Sequence, residues 1–545
     1  MYYNRDWQPI LPTVAASVSV RIQFCKHLLN EPTIGRGKVH FKSRILLLFA
    51  LTGNGGEEHS GFARFCTNDI LHSGMQQHVA TLQEEATVVS ERMRVRLSRR
   101  SAIREAFERA GVLARTHGAD NVFDLSIGNP TAPCPAGVAA ALKETAALPD
   151  EPNMHGYMDS AGYSDVRDAM AASLKARFGI DYTTEDIVMT TGAACALNIV
   201  MQTLLDPGDE IIVFRPYYPA YEAFALNWDA RVVKVPYCRE TMLPDVSRLD
   251  EAFSPRTKIV LVNTPNNPSG LVYPHAVAEA IAHAAERAQQ AFSHDIYVVS
   301  DEPYRELLFD GAQNPQWPLL YDNTFTVYSF SKSASISGER IGYVAMAPGL
   351  HDKQIIRQGL CRSLGDLGFV NAPATAQRMA KHCVDSFADL AQYDRNRIVL
   401  YEALCSVGFS PVKPNGAFYM LLPAPDGNEQ AFVDRLLAEN IVVVGGGEFG
   451  CPGYVRLSFC VSAETINAAI PHFACVARSY GLNATSESSS APESSSALET
   501  SSALEASATP SAPEASMPTA PVASAVPVAT AAPCICPQKE TTHHE

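Results

Sequence analysis

Seven apolar, β-branched runs alternate with helix-forming segments between residues 186 and 346, and this constrains the fold more than any other feature. The runs cover residues 187–190, 210–214, 232–235, 258–262, 296–300, 325–329 and 341–346. Residues 193–204, 218–225 and 274–292 are the clearest helices between them. Strands that read as continuous apolar runs are buried on both faces, and helical crossovers join them in parallel. The expected fold is therefore α/β, with a doubly wound, mostly parallel seven-stranded sheet. Ligands of such sheets gather beyond the carboxyl ends of the strands.

After residue 371 the pattern changes to α+β. A long helical stretch, 374–407, precedes the strand-like 416–422, and 441–444 and 454–459 read as further strands. The expected organisation is a large domain over 131–371 and a smaller one over 372–481. Residues 75–130 are expected to supply an N-terminal arm and part of the smaller domain. Helix formers run from 84 to 114, with Val95, Leu97, Ile103, Phe107 and Val112 as packing positions. Residues 122–127 are strand-like and stop at Gly128-Asn129-Pro130.

Both ends differ from the body. Residues 1–74 lack sustained periodicity and carry eight Lys/Arg against five Asp/Glu, so they are expected to form a poorly structured extension. They fit a targeting segment; alternatively translation starts at Met75 or Met93, which is the preferred reading. From 482 to 545 the chain is a Ser/Ala/Pro/Glu-rich repeat with almost no large apolar residue. It cannot offset the cost of ordering and should be a disordered tail.

Composition excludes several function classes. The net charge of −15 makes nucleic acid and anionic membranes poor partners. No apolar run approaches the ~20 residues of a membrane span. Thirteen scattered cysteines fit reduced thiols in the cytoplasm. Their one close pair, Cys534-Ile535-Cys536, lacks the second pair a zinc site needs, so no metal is expected.

The strand ends carry the chemistry. The run 325–329 delivers Lys332 inside Ser329-Phe330-Ser331-Lys332-Ser333, and Arg340 follows in Gly338-Glu339-Arg340-Ile341-Gly342. An amine among hydroxyls beside an arginine suits a nucleophile toward an aldehyde next to a bound anion, as pyridoxal phosphate requires. Thr191-Gly192-Ala193-Ala194 opens a helix whose free N–H groups can hold an anion. Pro216-Tyr217-Tyr218-Pro219 places an aromatic where a planar ring could stack. Asp301 ends a buried run, which is costly unless the carboxylate meets a cation such as a protonated pyridine nitrogen. Asn263-Thr264-Pro265-Asn266-Asn267-Pro268-Ser269-Gly270 is more elaborate than a turn requires.

In order and spacing these motifs resemble the class I aminotransferases related to aspartate aminotransferase, fold-type-I pyridoxal-phosphate enzymes, over roughly residues 93–480. The resemblance implies that Lys332 carries the cofactor as a Schiff base and shuttles the substrate's α-proton. It implies that Asp301 keeps the pyridine nitrogen protonated, that Tyr304 and Asn267 bond the ring oxygen, and that Tyr218 stacks on the ring. Ser329, Arg340 and the backbone of Gly192, Ala193 and Ala194 would hold the phosphate. Tyr157 resembles a tyrosine that reaches the phosphate of the neighbouring subunit, implying a homodimer with shared active sites. Arg456 would clamp the substrate α-carboxylate, supported by Gly128 and Asn267. An aspartate-like donor and an acceptor such as 2-oxoglutarate follow as family expectations. Arg362 is a candidate for a side-chain carboxylate, although a surface or packing role is the stronger reading. A β-lyase or decarboxylase would use the same cofactor contacts. A transcription regulator would need a DNA-binding module, which residues 1–74 do not show.

Overall fold

The computed structural model describes residues 88–98, 101–147 and 155–482. The extension expected over 1–74 and the tail expected beyond Leu482 lie outside the described residues. The chain divides into two units, Met1–Arg99 and Arg100–Glu545. Of the first, the ordered element described is the helix Glu91–Ser98, in which Glu91 and Arg94 form an exposed ion pair.

The second unit begins with the helix Ala102–His117, capped by the Ser101 hydroxyl, and a short strand, β1 (Phe123–Asp124). There follow β2 (Ile187–Thr190), β3 (Glu210–Phe214), β4 (Arg231–Val235), β5 (Thr257–Asn263), β6 (Tyr297–Asp301), β7 (Thr324–Ser329) and β8 (Gly342–Met346). These last seven form one sheet in the order β2-β8-β7-β6-β5-β3-β4. All neighbours pair in parallel except β8, which runs antiparallel between β2 and β7. The mostly parallel seven-stranded sheet is therefore present, with strand edges within about one residue of the sequence reading.

Helices cover both faces, which is why these strands are apolar without alternation. On one face Ile211, Val213, Leu261, Val299 and Val327 pack against residues of the helices Ala193–Leu204 and Lys353–Asp366. On the other, Ile212, Val260, Val262 and Val298 meet the helix His275–Phe292. Ile187, Met189 and Tyr343 on that side pack with residues of Ser164–Phe178 and Ala374–His382.

A smaller α+β layer follows, with β9 (Tyr419–Pro423), β10 (Ile441–Val442), β11 (Val444–Gly445) and β12 (Tyr454–Ser458). β11, β12 and β9 form an antiparallel sheet, and β10 pairs in parallel with β1. The helices Leu390–Ser406 and Ala463–Ser479 bury Tyr393, Leu400, Phe473 and Val476 against Phe418, Met420 and Leu457.

Two sequence expectations are corrected. Val95, Leu97, Phe107 and Val112 are exposed rather than packed; Ala106 and Ala110 form the buried face of Ala102–His117, against Val442, Val444 and Phe449. Ile103 packs against the same cluster, as expected, so of the five positions it alone is on the core face, which small side chains otherwise form. The helical stretch expected over 374–407 is two helices, Ala374–His382 and Leu390–Ser406. The residues between leave the helical path, and the Ala388 N–H donates to the Ser333 carbonyl at 2.8 Å, beside Lys332.

Because β2, β3, β5, β6 and β7 are parallel, their carboxyl ends lie along one edge. The antiparallel β8 starts at that same edge, where Gly342 sits opposite both Thr190 and Ser329. A Cβ at Gly342 would lie 2.3 Å from the Tyr328 carbonyl oxygen and 3.1 Å from Gly192 Cα. Glycine is needed there to bring the turns that follow β2 and β7 together.

Candidate active site

A cavity of about 320 Å³ opens at this edge. Gly128, Ala193, Ala194, Tyr218, Asn267, Asp301, Tyr304, Ser329, Lys332, Arg340 and Arg456 all line it, which unites most of the residues singled out from sequence. Gly192 lies just behind: a Cβ there would come within 2.6 Å of the Arg340 guanidinium. Tyr157 does not line the cavity and is 90% exposed. Arg362 is on the surface, paired with Asp366 one helical turn away.

Asp301 closes β6 in full burial. One carboxylate oxygen accepts a 2.6 Å hydrogen bond from the Tyr221 hydroxyl, and the other, Oδ1, has no partner among the described residues. Its backbone carbonyl accepts from the Asn263 amide at 2.9 Å. Burial pushes the Asp301 carboxyl up to about 7, with the Tyr221 bond pulling the other way. A buried carboxylate oxygen left unpaired is costly, and the cost is relieved when a cation or donor enters.

Lys332 sits on a single helical turn, Phe330–Ser333, that β7 feeds directly. Its amine donates to the Gly128 carbonyl at 2.6 Å. Burial lowers its pKa to about 8, and Arg340 and Arg456 push the same way. A pKa lowered toward neutrality raises the neutral fraction of the amine, which suits a nucleophile.

Two cationic clusters line the same cavity as the amine, and their chemistry suits anions. At one, the Ser329 and Ser331 hydroxyls lie 2.8 Å apart and an Arg340 nitrogen donates to Ser331 at 3.2 Å. The helix Ala193–Leu204 points its N-terminus into the same cavity wall, with Gly192 at φ +87° making the turn. At the other, buried Arg456 donates to the Asn267 side chain at 3.0 Å and to the Ser126 carbonyl. Its Nε has no partner among the described residues, and its guanidinium lies against Tyr419 and Phe449.

Sequence reasoning passed over Tyr221, Asn263, Ser331 and Tyr419, all of which line the cavity. Ser331 was visible as one of three hydroxyls around Lys332. Tyr221 stands three residues after Tyr218, on the next helix, and its ring meets Tyr218 edge-on at 5.6 Å. Among the described residues no cluster of His, Cys, Asp or Glu could hold a metal ion, and no helix is long and apolar enough to cross a membrane.

The sheet with its inserted antiparallel strand is the fold-type-I α/β architecture. Residues 120–473 match the family described as aminotransferase class I and II, and the chain belongs to that family. It is 34% identical over 377 residues to the aspartate/prephenate aminotransferase of Thermus thermophilus, covering 66% of this chain and 92% of that one. It is also 34% identical to an arginine–pyruvate transaminase of Pseudomonas aeruginosa, over 68% of this chain and 93% of that one. Among solved structures, an aminotransferase of Eubacterium rectale superposes with a TM-score of 0.70 at 38% identity, covering 72% and 99% of the two chains. Aspartate aminotransferase of Thermus thermophilus with maleate gives 0.64 at 32% identity, covering 71% and 99%. The chain is an aminotransferase, of a family that generally depends on pyridoxal phosphate.

The raised Asp301 pKa has a signed consequence for the cofactor-free protein. The folded state holds this proton up to about pH 7, whereas an unfolded aspartate releases it near 3.8. The contribution of Asp301 to stability is therefore full below about pH 4 and is lost as pH rises through about 7. Thermal midpoints of wild type and Asp301→Asn, both free of cofactor, should show wild type losing ground to the variant across this window. A difference that stays constant with pH would contradict the assignment.

Proposed function

We propose that the chain binds pyridoxal 5′-phosphate and transfers an amino group between an L-amino acid, with an aspartate-like donor favoured, and a 2-oxo acid such as 2-oxoglutarate. The observation that carries this reading is the unpartnered, buried Asp301 oxygen in the cavity that the Lys332 amine also lines. A protonated pyridine nitrogen supplies the missing partner, and the serine, arginine and helix-terminus cluster around Arg340 fits a phosphate. When bound, the cofactor supplies a carbonyl for amine exchange and a ring that accepts the electron pair left on the substrate's α-carbon.

The residues then divide the work. Lys332 holds the cofactor and, as a free amine, takes the α-proton and returns it on the other side of the exchange. Asp301 keeps the ring nitrogen protonated, and Tyr221 orients that carboxylate. Tyr304 and Asn267 bond the ring oxygen, while Tyr218 covers the ring face. Ser329, Arg340 and the backbone of Gly192, Ala193 and Ala194 hold the phosphate. Arg456 clamps the α-carboxylate, with Gly128 and Asn267 beside it. That several of the relatives are named aspartate aminotransferases supports the aspartate-like donor. The described cysteines are free thiols, which supports a cytoplasmic setting.

The direct test is conversion of 2-oxoglutarate to glutamate with each of the twenty amino acids as donor. Lys332→Ala should lose turnover by at least ~100-fold, the low end of acid–base contributions, while keeping its circular-dichroism spectrum. Wild-type turnover in the variant, or wild-type release of product without amino transfer, would overturn the reading.

A homodimer with shared sites belongs to the same proposal. Tyr157 is exposed in one chain, and the phosphate bound by a partner subunit would give its hydroxyl a ligand. Heterodimers of Tyr157→Phe and Lys332→Ala subunits place both lesions in one site and leave the other intact. Activity should partly recover on subunit exchange; its absence in demonstrated heterodimers would count against sharing.

A further inference from the structure

Tyr419 opens β9, and its side chain reaches from the smaller layer into the cavity. Its hydroxyl lies 3.2 Å from that of Tyr304, and both residues are buried. The two rings meet edge to face at 5.7 Å. The Arg456 guanidinium lies over the Tyr419 ring, 4.4 Å from its centre. Opposite, only a glycine at 128 leaves room: a Cβ there would lie 1.9 Å from the Tyr419 hydroxyl oxygen. The carbonyl of that same Gly128 anchors the Lys332 amine.

Each phenol carries a single proton. In a bonded pair, one proton is spent between the two oxygens and the other is free to point elsewhere. The positive charge over its ring favours Tyr419 as the donor, because a nearby cation makes a hydroxyl more acidic. Tyr304 then accepts from Tyr419 and keeps its own proton for the cavity.

We propose that Tyr419 is a positioning residue: its hydroxyl donates to Tyr304, so that the Tyr304 proton is directed at the ring oxygen of the bound cofactor. This rests on the pyridoxal-phosphate reading above. A donor that is itself hydrogen-bonded is a stronger donor, through the cooperativity of hydrogen-bond chains. Weakening it destabilises the negative charge on the ring oxygen, and the proton that the cofactor shares with that oxygen is then lost at higher pH.

The experiment titrates the absorbance of the bound cofactor against pH, without substrate, in wild type, Tyr419→Phe, Tyr304→Phe and the double variant. Phenylalanine keeps the ring against Arg456 and Gly128 and removes only the hydroxyl. The midpoint should rise by about half a unit in Tyr419→Phe, the size of one modest hydrogen bond. It should rise further in Tyr304→Phe, and the double variant should match Tyr304→Phe alone. An unmoved midpoint in Tyr419→Phe, or a double variant showing the sum of the two shifts, overturns the proposal. If Tyr304→Phe itself leaves the midpoint in place, the contact of Tyr304 with the ring oxygen fails, and the role of Tyr419 with it.

Discussion

The site depends on one carboxylate that the fold buries and half satisfies. Asp301 ends a strand in which all five residues are buried, so its charge is removed from water by the sheet itself. Tyr221 accounts for one oxygen and leaves the other to whatever enters the cavity. An isolated buried charge would shift its pKa or recruit a partner. The carboxyl at about 7 shows the first response, and a protonated ring would provide the second.

The remaining features follow from where the sheet delivers its strands. Parallel order puts Asn263, Asp301 and Ser329 at one edge, and the single antiparallel strand brings Arg340 back to it. Arg340 precedes β8 in the left-handed region at φ +53°, with Gly342 allowing the close approach that follows. The smaller layer contributes Tyr419 and Arg456 from paired strands, with Ser458 opposite Tyr419. One cationic cluster thus stands on the large sheet and the other on the smaller layer.

Much of this was legible because buried strands leave long apolar runs with punctuated ends. Lys332, Asp301 and Asn267 stand just where such runs stop, and Arg340 just before one begins. The edges of the seven strands were readable for the same reason. In the helix Ala102–His117 the reading held at Ile103 but missed Ala106 and Ala110 and misplaced Phe107 and Val112, because size is a poor guide where elements approach closely. The break between residues 382 and 390 was not legible, and within it Ala388 bonds to Ser333, which is distant in sequence. Tyr221 carries no local mark that separates it from a core tyrosine, and Tyr419 acquires its place only through contact with a residue 115 positions away. Tyr157 was legible as a motif, but in one chain alone it is exposed.

In the proposed function the free oxygen of Asp301 meets a protonated ring nitrogen. The most direct measurement of this compares the binding of pyridoxal phosphate with that of an analogue in which carbon replaces the ring nitrogen. Both keep the aldehyde and the phosphate, so the contacts of Lys332 and Arg340 are unchanged. Wild type should hold the natural cofactor more tightly by on the order of 100-fold, the scale of a desolvated charge pair, and Asp301→Asn should lose most of that preference. Equal affinities for the two compounds in wild type would contradict the account.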